Sequence, residues 1–214
     1  MGKTLKIILI VGIFLVIGLF IGRIALTYYY PAEMKRVLPN EKLAAAWSAA
    51  GEEARAFTQE PVAPYDDRKK GHFFFSELLC VPCAEQVQVT VRYNRSTLED
   101  LRLTCSLPIA PEGDSPELRF YLREGKVDGE GKAVTGRILP VSDFLYAEKF
   151  MYHYRRLVFD GVSPDFDSYL YLDAYYGDAD PAETEPYGSM LIYVPEKETE
   201  DVSLTPAGLA PAAR

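Results

Sequence analysis

The chain has 214 residues, with 23 basic side chains against 31 acidic ones and a formal net charge of −8. That excess of acid excludes the broad basic footprint that nucleic acid demands. With 48% apolar and 13% aromatic residues, the chain is also too rich in core-forming side chains to belong among disordered proteins.

Ile7 to Gly22 is an unbroken apolar run, preceded by Lys3 and Lys6. Extended from Leu5 to Leu26 as a helix, it covers about 33 Å, enough for the ~30 Å hydrocarbon core if Arg23 reaches the headgroups along its own stem. Tyr28, Tyr29 and Tyr30 then fall at an interfacial belt, and Pro31 follows. A cleaved signal would need a small-x-small site after the run, and Gly22-Arg23-Ile24-Ala25-Leu26-Thr27-Tyr28 lacks one. The expectation is therefore a single N-terminal transmembrane helix, with the lipid bilayer as partner of residues 5–26. Lys3 and Lys6 place the N-terminus in the cytoplasm by the positive-inside rule and the C-terminal domain outside it, in the cell envelope.

Beyond residue 30 lie all 31 acidic residues and 20 of the basic ones, a net charge of −11. This part should not adsorb to anionic lipid by charge. Residues 31–71 read as a juxtamembrane helix and linker. Asn40 is a candidate N-cap, and Leu43, Ala46, Trp47, Ala50, Ala54 and Phe57 recur at helical spacing. Such a stripe packs on its own domain or serves as a stalk or partner helix.

From residue 72 to 195 the apolar period shortens to two. Val87, Val89, Val91 and Tyr93 alternate with polar residues, as do Leu101 to Ile109, Leu118 to Leu122, Leu170 to Ala174, and Met190 to Val194. These runs predict a mainly β, antiparallel, sandwich-like domain with one or two helices. One of those helices is expected from Ser142 or Asp143 to Val158, since Phe144, Ala147, Met151, Tyr154 and Val158 share a helical face. Residues 196–214 are charged, then Ala/Pro-rich, and read as a disordered tail.

Cys80-Val81-Pro82-Cys83 is the only stretch with a chemical signature. In this spacing one thiolate can attack a disulfide and the second thiol can resolve the intermediate. The motif, together with the N-terminal anchor, resembles membrane-anchored thioredoxin-like reductases, in which one helix tethers an extracytoplasmic domain bearing Cys-x-Pro-Cys. The resemblance implies Cys80 as nucleophile and Cys83 as resolving thiol. The residues after Cys83, Ala-Glu-Gln-Val-Gln-Val-Thr-Val-Arg-Tyr, read as a strand, where that family opens a helix. Two other readings stand beside it. Cys80, Cys83 and Cys105 with His72 form a candidate zinc-ligand set, or two of the three cysteines form a disulfide, with Cys105 either filling a core-facing slot or bonding to Cys80 or Cys83.

Other candidates are weaker. His153 lies among Tyr152, Tyr154, Arg155 and Arg156 without a nucleophile motif. The acids from Asp160 to Glu185 read as a solvated loop between strands, with Pro181 where a calcium loop would need flexibility. Tyr169, Tyr171 and Tyr175 share the strand face opposite Leu170 and Leu172, and form a candidate binding face for a protein or glycan partner. Asn94-Arg95-Ser96 matches the glycosylation sequon. The sequence thus points to a non-catalytic binding or structural module without a cofactor, with a tethered thiol-disulfide oxidoreductase as the alternative.

Overall fold

The computed structural model describes residues 3–27, 29–62, 73–94, 118–127, 133–134, 136–149, 152–177, 179–186, 188–205 and 209, with the backbone alone at 3–6, 8, 23, 24, 26, 27, 94, 126, 127, 133, 134 and 176. The chain divides into two compact units, Met1–Pro31 and Ala32–Arg214.

The first unit holds α1, Lys3–Thr27. Fourteen consecutive residues, 9–22, have described side chains, about 21 Å of helix. Among the described residues, no helix is long and apolar enough to cross a membrane. The apolar side chains of α1 point outward on every side: Leu9, Phe14, Ile17 and Phe20 are all about half exposed or more.

The second unit is built from two antiparallel sheets with few helices. Among the described residues its α-helices are α2, Ala32–Lys35, and α3, Glu41–Ala50. The first sheet comprises β1 (Phe57–Gln59), β2 (Phe74–Phe75), β3 (Leu78–Val81), β4 (Gln86–Asn94), β8 (Asp143–Lys149), β9 (Tyr152–Asp160) and β12 (Glu200–Asp201). Its order is β12-β1-β3-β4-β9-β8, with β2 also on β4. The second holds β5 (Leu118–Val127), β6 (Ala133–Val134), β7 (Ile138–Pro140), β10 (Tyr169–Tyr176) and β11 (Gly188–Tyr193), in the order β11-β10-β5-β6, with β7 also on β5.

Period-two alternation decides what each strand buries. Val87, Val89, Val91, Leu78, Cys80, Leu157 and Phe159 from the first sheet share one core with Leu118, Phe120, Leu122, Leu170, Leu172, Ala174, Met190 and Ile192 from the second. The opposite face of the first sheet is buried too. Leu79 and Val81 pack there against Leu43, with Trp47 and Ala46 alongside, so α3 covers its own domain. Asn40 caps α3 as expected, its side-chain oxygen accepting from the Leu43 N–H at 2.8 Å. The helix ends at Gly51, and Phe57, expected on the same helical stripe, lies in β1 instead.

Beside α3, the outward face of β4 is polar: Gln86, Gln88, Thr90 and Arg92 are all fully buried. Residues 32–40 satisfy much of it. Gln88 accepts from the Leu38 N–H at 2.8 Å and donates to the Leu38 carbonyl and to Gln86 Oε1, both at 2.9 Å. Gln86 donates onward to Asp160, which Lys42 approaches at 3.7 Å. The Thr90 hydroxyl donates to the Met34 carbonyl.

Two expectations are corrected. The helix expected from Ser142 or Asp143 to Val158 is replaced by strand at Asp143–Lys149 and Tyr152–Asp160. These two strands are the hairpin β8–β9, and β9 pairs with β4 over nine rungs from Gln86↔Asp160 to Asn94↔Tyr152. The helical spacing from Phe144 to Val158 is coincidental, and long-range pairing overrides it. Nor are residues 196–205 all tail, because Asp201 and Glu200 pair with Phe57 and Thr58. Gln59 ties this corner to the second sheet. Its amide accepts from the Val194 N–H and donates to the Val194 carbonyl, both at 3.0 Å. Next to it, Phe166 takes a φ of +49°, unusual for an aromatic residue. Edge-to-face contacts with Phe57 and Tyr193, at 5.3 and 5.7 Å, hold it there. The expected strand at 101–109 lies outside the described residues.

Gln88→Ala removes three hydrogen bonds from groups that stay buried, and should cost roughly 2–4 kcal/mol. Urea unfolding should show the loss, and limited proteolysis should cut residues 36–40 faster than in the parent.

Candidate functional site

The cysteine motif forms a hairpin turn. Cys80 lies on β3 and pairs with Phe57 on one side and Val87 on the other. Pro82–Ala84 make one turn of 3-10 helix, and Glu85 closes it in the left-handed region at φ +51°, donating its N–H to the Pro82 carbonyl at 2.9 Å. β4 begins at the next residue. A strand therefore follows the motif where a thioredoxin-like site has a helix, so no helix N-terminus supports a thiolate at Cys80.

Cys80 is fully buried in the central core, and burial pushes its thiol far above the ordinary value. Cys83 is half-buried and faces the α3 side. Both are free thiols, so the expected disulfide is not formed between them. Cys105 and His72 lie outside the described residues. Among the described residues, no group of three His, Cys, Asp or Glu side chains is placed to hold a metal ion.

The tyrosine face lies on the outward side of the second sheet. Register places Tyr171 opposite Arg123, Asp173 opposite Tyr121, and Tyr175 opposite Arg119. Asp173 is buried at its centre. Arg123 donates to it through Nε at 2.7 Å and Nη2 at 3.2 Å, and the Ser189 hydroxyl on β11 donates to Asp173 and accepts from Arg123 at 2.8 Å. The carboxylate beside it, with these hydrogen bonds, holds the Arg123 guanidinium above its ordinary range.

The Arg123 guanidinium also sits 4.6 Å above the Tyr171 ring. That ring leans over Gly125, where an added Cβ would meet it at 2.9 Å. Tyr169 and Tyr171 are half-exposed, whereas Tyr175 is buried, edge-on to Tyr121 at 5.3 Å. Residues 181–186, part of the expected acidic loop between β10 and β11, form one wall of a cavity of about 350 Å³ lined also by Arg123, Asp173 and Tyr175. The arrangement offers aromatic faces, a fixed guanidinium and loop carboxylates, which suits polar ligands approached through stacking and hydrogen bonds.

Sequence reasoning found the three tyrosines and missed the Arg123–Asp173–Ser189 network. The signal was faint: a lone Asp amid a strand's aromatic residues, and an Arg on another strand whose register no local pattern supplies. His153 stands apart from this face. It stacks between Tyr93 and Tyr146, and its Nδ1 lies 2.6 Å from the Tyr146 hydroxyl. Protein-family models, curated proteins and solved structures contain no match to the chain.

Two outcomes follow from this geometry. In the native protein at pH 8, a thiol reagent should modify Cys83 and leave Cys80 untouched until denaturant is added, as mass spectrometry of the labelled peptides would show. Arg123→Met leaves the Asp173 carboxylate buried against Ser189 alone and should cost about 2–4 kcal/mol, whereas Arg123→Met with Asp173→Leu should lose less. Urea midpoints of the two variants decide it.

Proposed function

We propose that the chain is a membrane-anchored, sandwich-like β domain, exposed on the extracytoplasmic side, that acts as a non-catalytic binding or structural module of the cell envelope. The observation that carries this reading is α1. Among its described side chains, Ile7, residues 9–22 and Ala25, all are apolar and exposed, with none of the polar face an interfacial helix would have. Water is the wrong surrounding for such a surface, since roughly 25 cal/mol is lost per Å² of apolar area left wet. Its 25-residue backbone helix has a length of about 37 Å, which matches a bilayer crossing. The basic flank at Lys3 and Lys6 supports an N-terminus in the cytoplasm.

The binding face in this reading is the outward side of the second sheet, with Tyr169, Tyr171 and Arg123 as contact residues for a protein or glycan of the envelope. Tyr175 acts from beneath, through Tyr121 and the loop. The alternative, a tethered thiol-disulfide oxidoreductase through Cys80 and Cys83, finds little support in a buried thiol whose ionisation is suppressed.

After expression in cells, the full chain should remain in the membrane pellet through alkaline carbonate extraction, and Phe14→Asp with Leu15→Asp should release it. Protease added to intact cells should digest the domain. A soluble parent chain would sink the anchor, and a protected domain would sink the orientation. Insulin reduction by the protein should match that of its Cys80→Ser variant.

A further inference from the structure

The first sheet ends in two unlike edges. On one side is β12, two exposed acids, Glu200 and Asp201. Short, charged edges of this kind resist pairing with other chains. On the other side is β8, with seven residues, no proline and no glycine. Its Phe144 and Tyr146 are 59% and 45% exposed. Among the described residues β8 pairs with β9 alone and is the last strand on this side of the first sheet.

The side chains select which strand fits. Set antiparallel to itself about a two-fold axis at Tyr146, the segment Asp143-Phe144-Leu145-Tyr146-Ala147-Glu148-Lys149 is self-complementary. Asp143 then stands opposite Lys149 of the second copy, and Lys149 opposite its Asp143, so opposite charges meet at both ends. Leu145 faces Ala147. Phe144 stands opposite Glu148 of the second copy and diagonal to its Tyr146, on the same sheet face, which covers part of both exposed rings. A slip of two residues would lose both ion pairs, so the charges also fix the register. The stacked row Tyr93, His153 and Tyr146 leads directly to the axis.

We propose that β8 is a homodimer surface: two copies of this chain pair their β8 strands antiparallel about Tyr146 and join their first sheets into one. The contact is isologous and closed, as a two-fold dimer requires. It goes beyond the anchor reading and does not depend on it.

The test uses the full chain in detergent micelles, with particle mass from light scattering. The parent should carry two chains per particle. Lys149→Asp turns both terminal pairs into acid against acid and should weaken the dimer about tenfold at low salt. Asp143→Lys combined with Lys149→Asp should restore it. Gly18 and Gly22 have the spacing that lets apolar helices associate. A dimer held by α1 alone would ignore the charge changes, and that indifference would overturn the proposal. So would a monomeric parent, as expected if residues 95–117 or another protein cover this edge.

Register is read separately, with Cys83→Ser and Cys105→Ser as background. Tyr146→Cys should cross-link to itself under mild oxidant, because directly opposed Cβ atoms lie about 5 Å apart. Phe144→Cys should not, since the two positions are offset by four residues, about 13 Å along the strand. The reverse pattern would overturn the stated pairing.

Discussion

The domain depends on one constraint: the central strands of the first sheet, β3 and β4, have no face left for water. On β4 the inner side is committed to the shared core through Val87, Val89 and Val91, and the outer side carries Gln86, Gln88, Thr90 and Arg92 with no solvent exposure. Buried amides and hydroxyls are costly unless bonded. The chain meets this by laying residues 32–40 across the strand, so that a backbone segment supplies what water would have. Gln88 acts as a rung between β4 and Leu38, an extra pairing made by a side chain. The same device recurs at Gln59, whose amide takes the place of a strand neighbour for Val194.

Arginine burial follows from the same cover. Arg92 is held between the rings of Phe74 and Tyr152, at 4.0 and 4.5 Å. Arg156 lies beside Thr90 on the same sheet face, and burial lowers its guanidinium to about 10. Cations enclosed in this way exchange hydration for ring faces and hydroxyls. They make the cover on this face more than a hydrophobic lid, since displacing it changes the solvation of charge as well as of carbon.

How much of this was legible in the sequence depended on whether the signal was local. Strands with clean alternation, at Val87 to Tyr93, Leu118 to Leu122 and Leu170 to Ala174, were readable because each writes its own burial pattern. So was the Asn40 cap, whose partner is three residues away. The β8–β9 hairpin was misread because its apolar residues also satisfy a helical period, and only pairing with β4, about seventy residues distant, separates the two. Alternating Gln, Gln, Thr and Arg on β4 looked like a wet face, and nothing nearby announces that residues 32–40 will cover it. Among the candidate site residues, the tyrosine row was visible by parity. The burial of Tyr175, the Arg123–Asp173 pair and the enclosure of Cys80 arise from register between strands, which spacing along one strand does not contain.

The position of β12 has a consequence for how the chain is made. β1 lies between β3 and a partner that is made some 140 residues after it. The sheet therefore cannot be completed until residues 200 and 201 have been made. Until Glu200 and Asp201 emerge, the edge of β1 stays open and Gln59 lacks Val194 and Lys197. Closure of such distant ends is slow, because loop entropy must be lost before the contacts form. The interval leaves the nascent domain with an unguarded strand, and makes β12 a checkpoint for β1.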